Sequence, residues 1–352
     1  MSARIFTPNC QIYKYTLKLC LGAGFFGEVW LADDNTISKE VAVKIIKADG
    51  PITVEKFKEA RIGSRFDHDN LVKVHYADVV NYEGRNYIVI AMDYLRAGSI
   101  VTHLNSRGFL PLPRAMSVMR NVLFGIDHLH HLGFFHNDVK PSNILVGAAG
   151  QAVLSDYGIS RRFDETTKVP CYKLHEAPEI MAGGNASICT DIYQCGLTAF
   201  RLFCGEGILE AKWNREGEVS YNESIKFGKL VCSGDFPEFV PTRIRQIILK
   251  AISLNPSDRY QSAIDMQRDF EKLSYPGYWS ADENNQLVGR DNQGKTYTFD
   301  YIPLKDGLFD FSAMVTYPSG KTNRILRYCK QGISRSELSK LRHAFIKWVI
   351  TG

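Results

Sequence analysis

The chain has no apolar run approaching the ~20 residues needed to cross a bilayer; its longest, such as YIVIAM (Tyr87–Met92), are far shorter. Its eight cysteines (Cys10, Cys20, Cys171, Cys189, Cys195, Cys204, Cys232 and Cys329) form no Cys-x-x-Cys pair, and none stands at metal-ligand spacing from a histidine. The opening MSARIFTPNC lacks a signal-peptide pattern, so reduced thiols in a cytoplasmic, non-membrane protein are expected. Internal repeats and low-complexity segments are also missing. At 45% hydrophobic and 23% charged residues, the composition excludes wholesale disorder.

With 352 residues the chain is long for one core, and two or three units are expected. Charge is unevenly spread. Residues 281–352 hold 11 Lys/Arg against 7 Asp/Glu, whereas the remaining 280 residues are nearly balanced at 32 against 31. Electrostatic attraction for an acidic partner therefore belongs mainly to the C-terminal piece.

From Tyr13 to about Tyr94 the pattern is strand-rich. YTLKLCLGAG, FGEVWLA, EVAVKIIK, LVKVHYADVV and RNYIVIAMDY alternate or run apolar at strand length. Residues 52–66 switch to helical spacing, so a five-stranded sheet interrupted by one helix is predicted. After Gly98 the character turns helical. SVMRNVLFGIDHLHHLG places Val118, Val122, Leu123, Ile126 and Leu129 on one face and ends near Gly133. TDIYQCGLTAFRLFCG and PTRIRQIILKAISL read as further helices, the second nearly apolar throughout and expected to be buried. YPG at Tyr275–Gly277 punctuates the end of this part. Four strand-like segments follow (QLVG, KTYTFDYI, LFDFSAMVTY, KTNRILRYC). A capping box, Ser334-x-x-Glu337, then opens a last helix carrying Leu338, Leu341, Phe345 and Trp348 on one face. A small ββββα module over 281–352 is the reading, beside units at 1–94 and 95–276.

Chemistry gathers in a few short stretches. LGAGFFGEVWLA lies between strand patterns, and its Gly22, Gly24 and Gly27 let backbone N–H groups approach phosphates. Such a trio is by itself more often a plain turn, and a strand rather than a helix follows, which disfavours a dinucleotide site. Lys44, in VAVK, points from a half-buried strand and needs an acidic partner; Glu59 in the following helix can supply it. HNDVKPSN (His136–Asn143) offers an Asp, a Lys and an Asn suited to a metal-bound phosphate.

With GAGFFGEV, VAVK, HNDVKPSN, DYG (Asp156–Gly158), APE (Ala177–Glu179), TDIYQCG and NPSDR in this order, the chain resembles the eukaryotic-type protein kinases from about Tyr15 to Leu273. The resemblance implies a two-lobed α+β fold binding ATP and Mg2+ between the lobes. It implies that Lys44, kept in place by Glu59, holds the α- and β-phosphates, that Asp138 accepts the proton of the attacking hydroxyl, and that Lys140 neutralises charge on the transferred group. Asn143 and Asp156 would bind Mg2+. Leu21, Gly22, Gly24, Phe26 and Gly27 would cover the nucleotide. Val29, Ala42 and Leu145 would sandwich the adenine, Met92 would guard the inner pocket, and Asp93–Leu95 would form the hinge. Glu179 would pair with Arg259, and Asp191 would brace the catalytic loop. The Asp-x-Lys-Pro-x-x-Asn spacing resembles the serine/threonine type, with proteins as substrates.

Several positions depart from the family pattern. Asn137 stands where Arg is usual; Asn cannot attract a phosphate, so weak dependence on activation-loop phosphorylation is expected, although Ser160, Thr166 and Thr167 are candidate modification sites. Tyr157 replaces Phe. Gly63 leaves a gap where a large apolar side chain is usual, which suggests a mobile helix or another plug. Tyr172 stands where Thr is usual, which puts substrate preference in doubt, and Cys171 beside it reads as an ordinary loop thiol.

In the C-terminal module Arg324, Arg327, Lys330, Arg335, Lys340, Arg342 and Lys347 form a basic side. It reads first as the solvated face of a domain buttressing the rest, next as a docking site for an acidic protein; nucleic acid is disfavoured. Phe345 and Trp348 are expected to pack on the sheet. Two competing functions are a small-molecule kinase of the aminoglycoside or choline type and a pseudokinase scaffold. Lys140, APE and Arg259 weigh against the first, and the occupied Lys44, Glu59, Asp138, Asn143 and Asp156 against the second.

Overall fold

The computed structural model describes residues 5–24, 27–48, 67–156, 161–162 and 172–352. Its N-terminal sheet contains β1 (Gln11–Ile12), β2 (Tyr15–Gly24), β3 (Gly27–Asp34), β4 (Lys39–Lys47), β5 (Val74–Tyr82) and β6 (Arg85–Asp93), ordered β1-β2-β3-β4-β6-β5. Every pairing is antiparallel. In β3 half-buried and buried residues alternate one by one, as a period of two demands, and the buried set includes Trp30 and Ala32.

Five strands were expected; the sixth is β1. Two residues carry no readable periodicity, and β1 is placed by its neighbours instead. Phe6, 2% exposed, inserts against Tyr82 and Tyr87 with ring centroids 5.3 and 5.1 Å away. The predicted helix at 52–66, with Glu59 and Gly63, lies outside the described residues, as do Phe26, Tyr157, Ser160, Thr166, Thr167 and Cys171.

The helical lobe begins with α1 (Leu112–His131), whose predicted face of Val118, Val122, Leu123, Ile126 and Leu129 is fully buried. The short strands β7 (Phe134–Phe135), β8 (Ile144–Val146), β9 (Ala152–Leu154) and β10 (Arg161–Arg162) follow. Then come α2 (Pro178–Met181), α3 (Ile188–Cys204), α4 (Ile208–Lys226), α5 (Thr242–Ala251) and α6 (Ala263–Glu271). Helix α3 is the axis of the lobe, with every residue from Cys189 to Cys204 buried. Helix α5, expected from PTRIRQIILKAISL to be apolar and buried almost throughout, is instead amphipathic: it turns only Ile244, Ile247, Ile248 and Ala251 inward and leaves Arg243, Gln246 and Lys250 in solvent. Helix α4 was not foreseen. It buries only Leu209, Tyr221 and Ile225 and breaks at Gly217, whose φ is +79°, so it has little periodic signal.

The C-terminal module departs from ββββα. It has six strands, β11 (Gly277–Ala281), β12 (Leu287–Asp291), β13 (Thr296–Pro303), β14 (Phe309–Thr316), β15 (Thr322–Arg324) and β16 (Lys330–Ile333), before α7 (Arg335–Thr351). The stretch expected to end the helical lobe at Gly277 is itself the start of β11. A Cβ there would lie 2.1 Å from the Val349 carbonyl oxygen of α7, so only glycine permits this approach. The segment KTNRILRYC splits into β15 and a 3-10 turn, after which β16 pairs with β14. The capping box at Ser334 and Glu337 forms. The buried face of α7 is Phe345, Ile346, Val349 and Ile350, one step round from the face expected. Trp348 packs edge-on to Tyr297 at 5.7 Å.

One hydrophobic core runs through the helical lobe and this module. Trp279 of β11 is 1% exposed and meets Phe109, Leu110, Leu112, Phe203, Phe239 and Val240 around a void of only about 10 Å³. Its indole N–H donates to the Ile346 carbonyl at 3.0 Å. Polar contacts border the seam: Arg107 donates to the Asn285 carbonyl at 2.9 and 2.6 Å, and Arg342 pairs with Glu238 at 2.7 Å. Because the core is shared, urea unfolding should show the two parts melting together, and Trp279→Ala should cost roughly 3–5 kcal/mol. Separate transitions for the two parts in the unmutated chain would contradict a common core.

Candidate active site

The glycine-rich hairpin closes one side of the site. Gly22 pairs with Val29, Ala23 with Glu28 and Gly24 with Gly27 across β2 and β3. Gly27 has φ +111°, and a Cβ on it would meet the Ile45 carbonyl oxygen at 2.2 Å, so the hairpin lies flat on β4 only because this residue is glycine.

Lys44 sits on β4 opposite Val29 and Ile90, with its side chain 6% exposed. An ammonium so buried requires a carboxylate. Asp156 provides one, with Lys44 Nζ 2.9 Å from its Oδ1. Glu59, the partner expected from the sequence, lies outside the described residues.

The loop from His136 to Asn143 is fixed by its backbone. Asp191 of α3 accepts the His136 and Asn137 N–H groups at 2.8 Å each, and its carboxylate also contacts His130 Nε2 at 2.9 Å. Gln194 accepts from the Val139 N–H at 2.9 Å and donates to the Asn137 carbonyl at 2.8 Å. The Thr198 hydroxyl donates to the Val139 carbonyl at 3.0 Å. Residues 191, 194 and 198 share one helix face. Buried polar residues at that spacing inside an apolar helix are the signal that could have revealed Gln194 and Thr198.

Asn137 adopts φ +65°, a conformation that Asn tolerates better than most non-glycine residues. Asp156 has φ +67°. His136 is wholly buried, and that desolvation lowers its pKa and keeps the ring neutral. Its Nδ1 accepts the Asp138 N–H at 3.2 Å while Nε2–H faces the Ser155 carbonyl at 3.2 Å.

Asp138 is the hub of this loop. Lys140 Nζ lies 2.6 Å from its Oδ2, and Asn143 Nδ2 donates to the same oxygen at 2.8 Å and to the Asp138 carbonyl at 2.9 Å. With its amide nitrogen so committed, Asn143 presents its carbonyl oxygen as the group available to a cation. Asn143 and Asp156 border the same cavity. Two hard oxygen donors from the protein, with phosphate and water completing the shell, fit magnesium well.

That cavity, about 610 Å³, is lined by Leu21, Gly22, Gly24, Gly27, Val29, Ala42, Lys44, Met92, Asp93, Leu95 and Leu145. The structure thus brings together every described residue expected to contact the nucleotide. Sequence reasoning missed Gly98, Ser99 and Thr102, which line it as well. The Asp93 carboxylate is held by His75 at 2.7 Å, leaving its backbone as the part suited to a ligand. Below the site Arg259 grips both carboxylate oxygens of Glu179 at 2.9 and 2.8 Å.

Residues 15–270 match the model of the protein kinase domain. The serine/threonine-protein kinase PrkC of Bacillus subtilis is 28% identical over 267 residues, 73% of this chain and 40% of that protein. The serine/threonine-protein kinase PknA of Mycobacterium tuberculosis is 29% identical over 266 residues, 71% of this chain and 58% of its own length. A serine/threonine-protein kinase of Corynebacterium efficiens is 27% identical over 72% of this chain and 49% of its own. The chain therefore spans about half the length of the curated relatives it matches. Among the described residues no helix is long and apolar enough to cross a membrane. The fold, with its sheet-rich and helical lobes, and the family match over most of the chain lead to one conclusion: the chain belongs to the protein kinase family.

Proposed function

We propose that the chain is a serine/threonine protein kinase that transfers the γ-phosphate of Mg-ATP to protein hydroxyls. The observation that carries this reading is the cluster of Lys140 and Asn143 on one oxygen of Asp138, at 2.6 and 2.8 Å, beside a cavity large enough for a nucleotide. In this reading the adenine lies between Val29, Ala42 and Leu145, with Met92 behind it and the Asp93–Leu95 backbone at its edge. Lys44 holds the α- and β-phosphates under the glycine hairpin. Asn143 and Asp156 hold magnesium, which when bound offsets the charge of the phosphate oxygens.

The substrate hydroxyl gives its proton to Asp138 as its oxygen bonds to the γ-phosphorus, and the bond from that phosphorus to the β–γ bridging oxygen breaks to release ADP. Lys140, already on Asp138, offsets charge growing on the transferred group. Lys140, the Glu179–Arg259 pair and the names of the relatives favour protein over small-molecule substrates.

Asn137 supports a further part of the proposal: basal activity, including autophosphorylation, depends little on a phosphate in the activation loop. The residue is neutral, and its backbone is held by Asp191 and Gln194 instead. On the C-terminal module Arg324, Arg327, Lys330, Arg335, Lys340 and Lys347 stay exposed and suit an acidic protein, while Arg342 is engaged by Glu238. Binding of a polyglutamate peptide that is indifferent to salt would count against that partner class.

Asp138→Ala should lower turnover by ~10²–10⁴ with nucleotide binding retained. Labelled ATP with generic protein substrates and with small hydroxylated compounds measures both the loss and the substrate class; equal turnover by the variant, or transfer only to the small compounds, contradicts the proposal. Thr166→Ala/Thr167→Ala should keep turnover within about threefold, since the effect asked of a loop phosphate is small. A collapse in single-turnover rate would refute it.

A further inference from the structure

Tyr172 meets two cations. Lys140 Nζ lies 4.8 Å from the centroid of its ring and Arg201 Cζ 5.8 Å from it, both within cation–π range. At its far end the Tyr172 hydroxyl donates to Glu210 Oε1 at 3.0 Å. Glu210 belongs to α4 and is itself bound by Arg201 of α3, a guanidinium only 2% exposed that also pairs with Glu206. The remaining arm of Arg201 donates to His175 Nε2 at 3.1 Å, and His175 Nδ1–H donates to the Val139 carbonyl at 2.8 Å. Burial and the Arg201 charge hold His175 well below its ordinary pKa, so this ring stays neutral and serves as a fixed spacer.

These contacts form a rigid frame beneath a flexible side chain. An ammonium on a four-carbon stem has three rotatable donors and many rotamers. The bond to Asp138, 2.6 Å, engages one donor and leaves the stem to be fixed by something else. The Tyr172 ring supplies an aromatic face anchored at its hydroxyl to α4, and α4 is tied through Arg201 to the helix that also carries Asp191.

Resting on the protein kinase reading above, we propose that Tyr172 is a positioning residue: its ring holds the Lys140 ammonium on Asp138, and the Glu210–Arg201 pair fixes the ring. The assignment differs from a packing role because it acts through one named cation. It separates the face of the ring, which holds Lys140, from the hydroxyl, which only orients the face.

Tyr172→Leu and Tyr172→Met remove the face and should lower kcat about tenfold while KM for ATP changes less than about twofold, because Lys44 and the glycine hairpin are untouched. Tyr172→Phe keeps the face and should retain kcat within about threefold. In a Lys140→Ala background the same Leu substitution should have no further effect, since its route to the reaction is gone. A kcat loss of equal size in both backgrounds, or no loss in the Leu and Met variants, overturns the proposal. The contact is also readable without turnover. With ¹³C-labelled lysine, the Lys140 ε-methylene protons should carry a ring-current shift that disappears in Tyr172→Leu and persists in Tyr172→Phe, and an unchanged signal in Tyr172→Leu overturns the proposal as well. An intact chain with the shifted signal but no more phosphate transfer than Asp138→Ala would sink the kinase reading instead, so the two failures are distinct.

Discussion

A carboxylate with no solvent exposure, Asp191, receives two backbone N–H groups of the His136–Asn143 loop and faces a histidine ring. A buried carboxylate without such partners would be strongly disfavoured, so the loop and α3 stabilise each other. The backbone at His136 and Asn137 is thereby set, with Asn137 in the left-handed region, and Asp138 follows in a defined direction. Gln194 and Thr198 extend the same device one and two turns along α3. The groups proposed to act in phosphate transfer therefore lie on a loop whose conformation is set by a helix.

The same principle recurs with opposite charge. Arg259 and Arg201 are both almost wholly buried, and each has its guanidinium nitrogens matched to carboxylates and carbonyls or a neutral imidazole. Guanidinium suits these places because its donors fan out in a plane and stay charged at any relevant pH. One pair ties the end of the activation segment to the lobe; the other supports the residues under Lys140. Lys44 and Asp156 make the corresponding link between β4 and the helical lobe. Lys44–Asp156 and Arg259–Glu179 thus join charges from distant parts of the chain, whereas Lys140–Asp138 and the Arg201 pairs are local.

The C-terminal module obeys a different rule. Its attachment is mainly apolar, centred on Trp279, with polar contacts only at the margin. Its surface near the β13–β14 turn keeps Tyr301, Ile302, Leu304 and Leu308 exposed, while the Tyr301 N–H is capped by the Asp300 side chain at 2.8 Å and Pro303 brings no donor.

Much of this was legible in the residues alone. Alternation in β3 and the apolar stripe of α1 follow from local periodicity, and ordered motifs marked Lys44, Asp138, Lys140, Asn143 and Asp156. Where period was weak, as in β1, α4 and β16, the elements escaped notice because their neighbours position them rather than their own pattern. Apart from Glu179–Arg259, which the resemblance already implied, which cation meets which carboxylate, and that Tyr172 lies under Lys140, also had to await folding. The sequence by itself determined the two lobes and the residue types proposed to react, since both are written in short-range spacing. Tertiary structure decided most of the other partners, because a buried charge is satisfied by whatever the completed fold brings within hydrogen-bond distance, from as far as a hundred residues away in the case of Lys44 and Asp156.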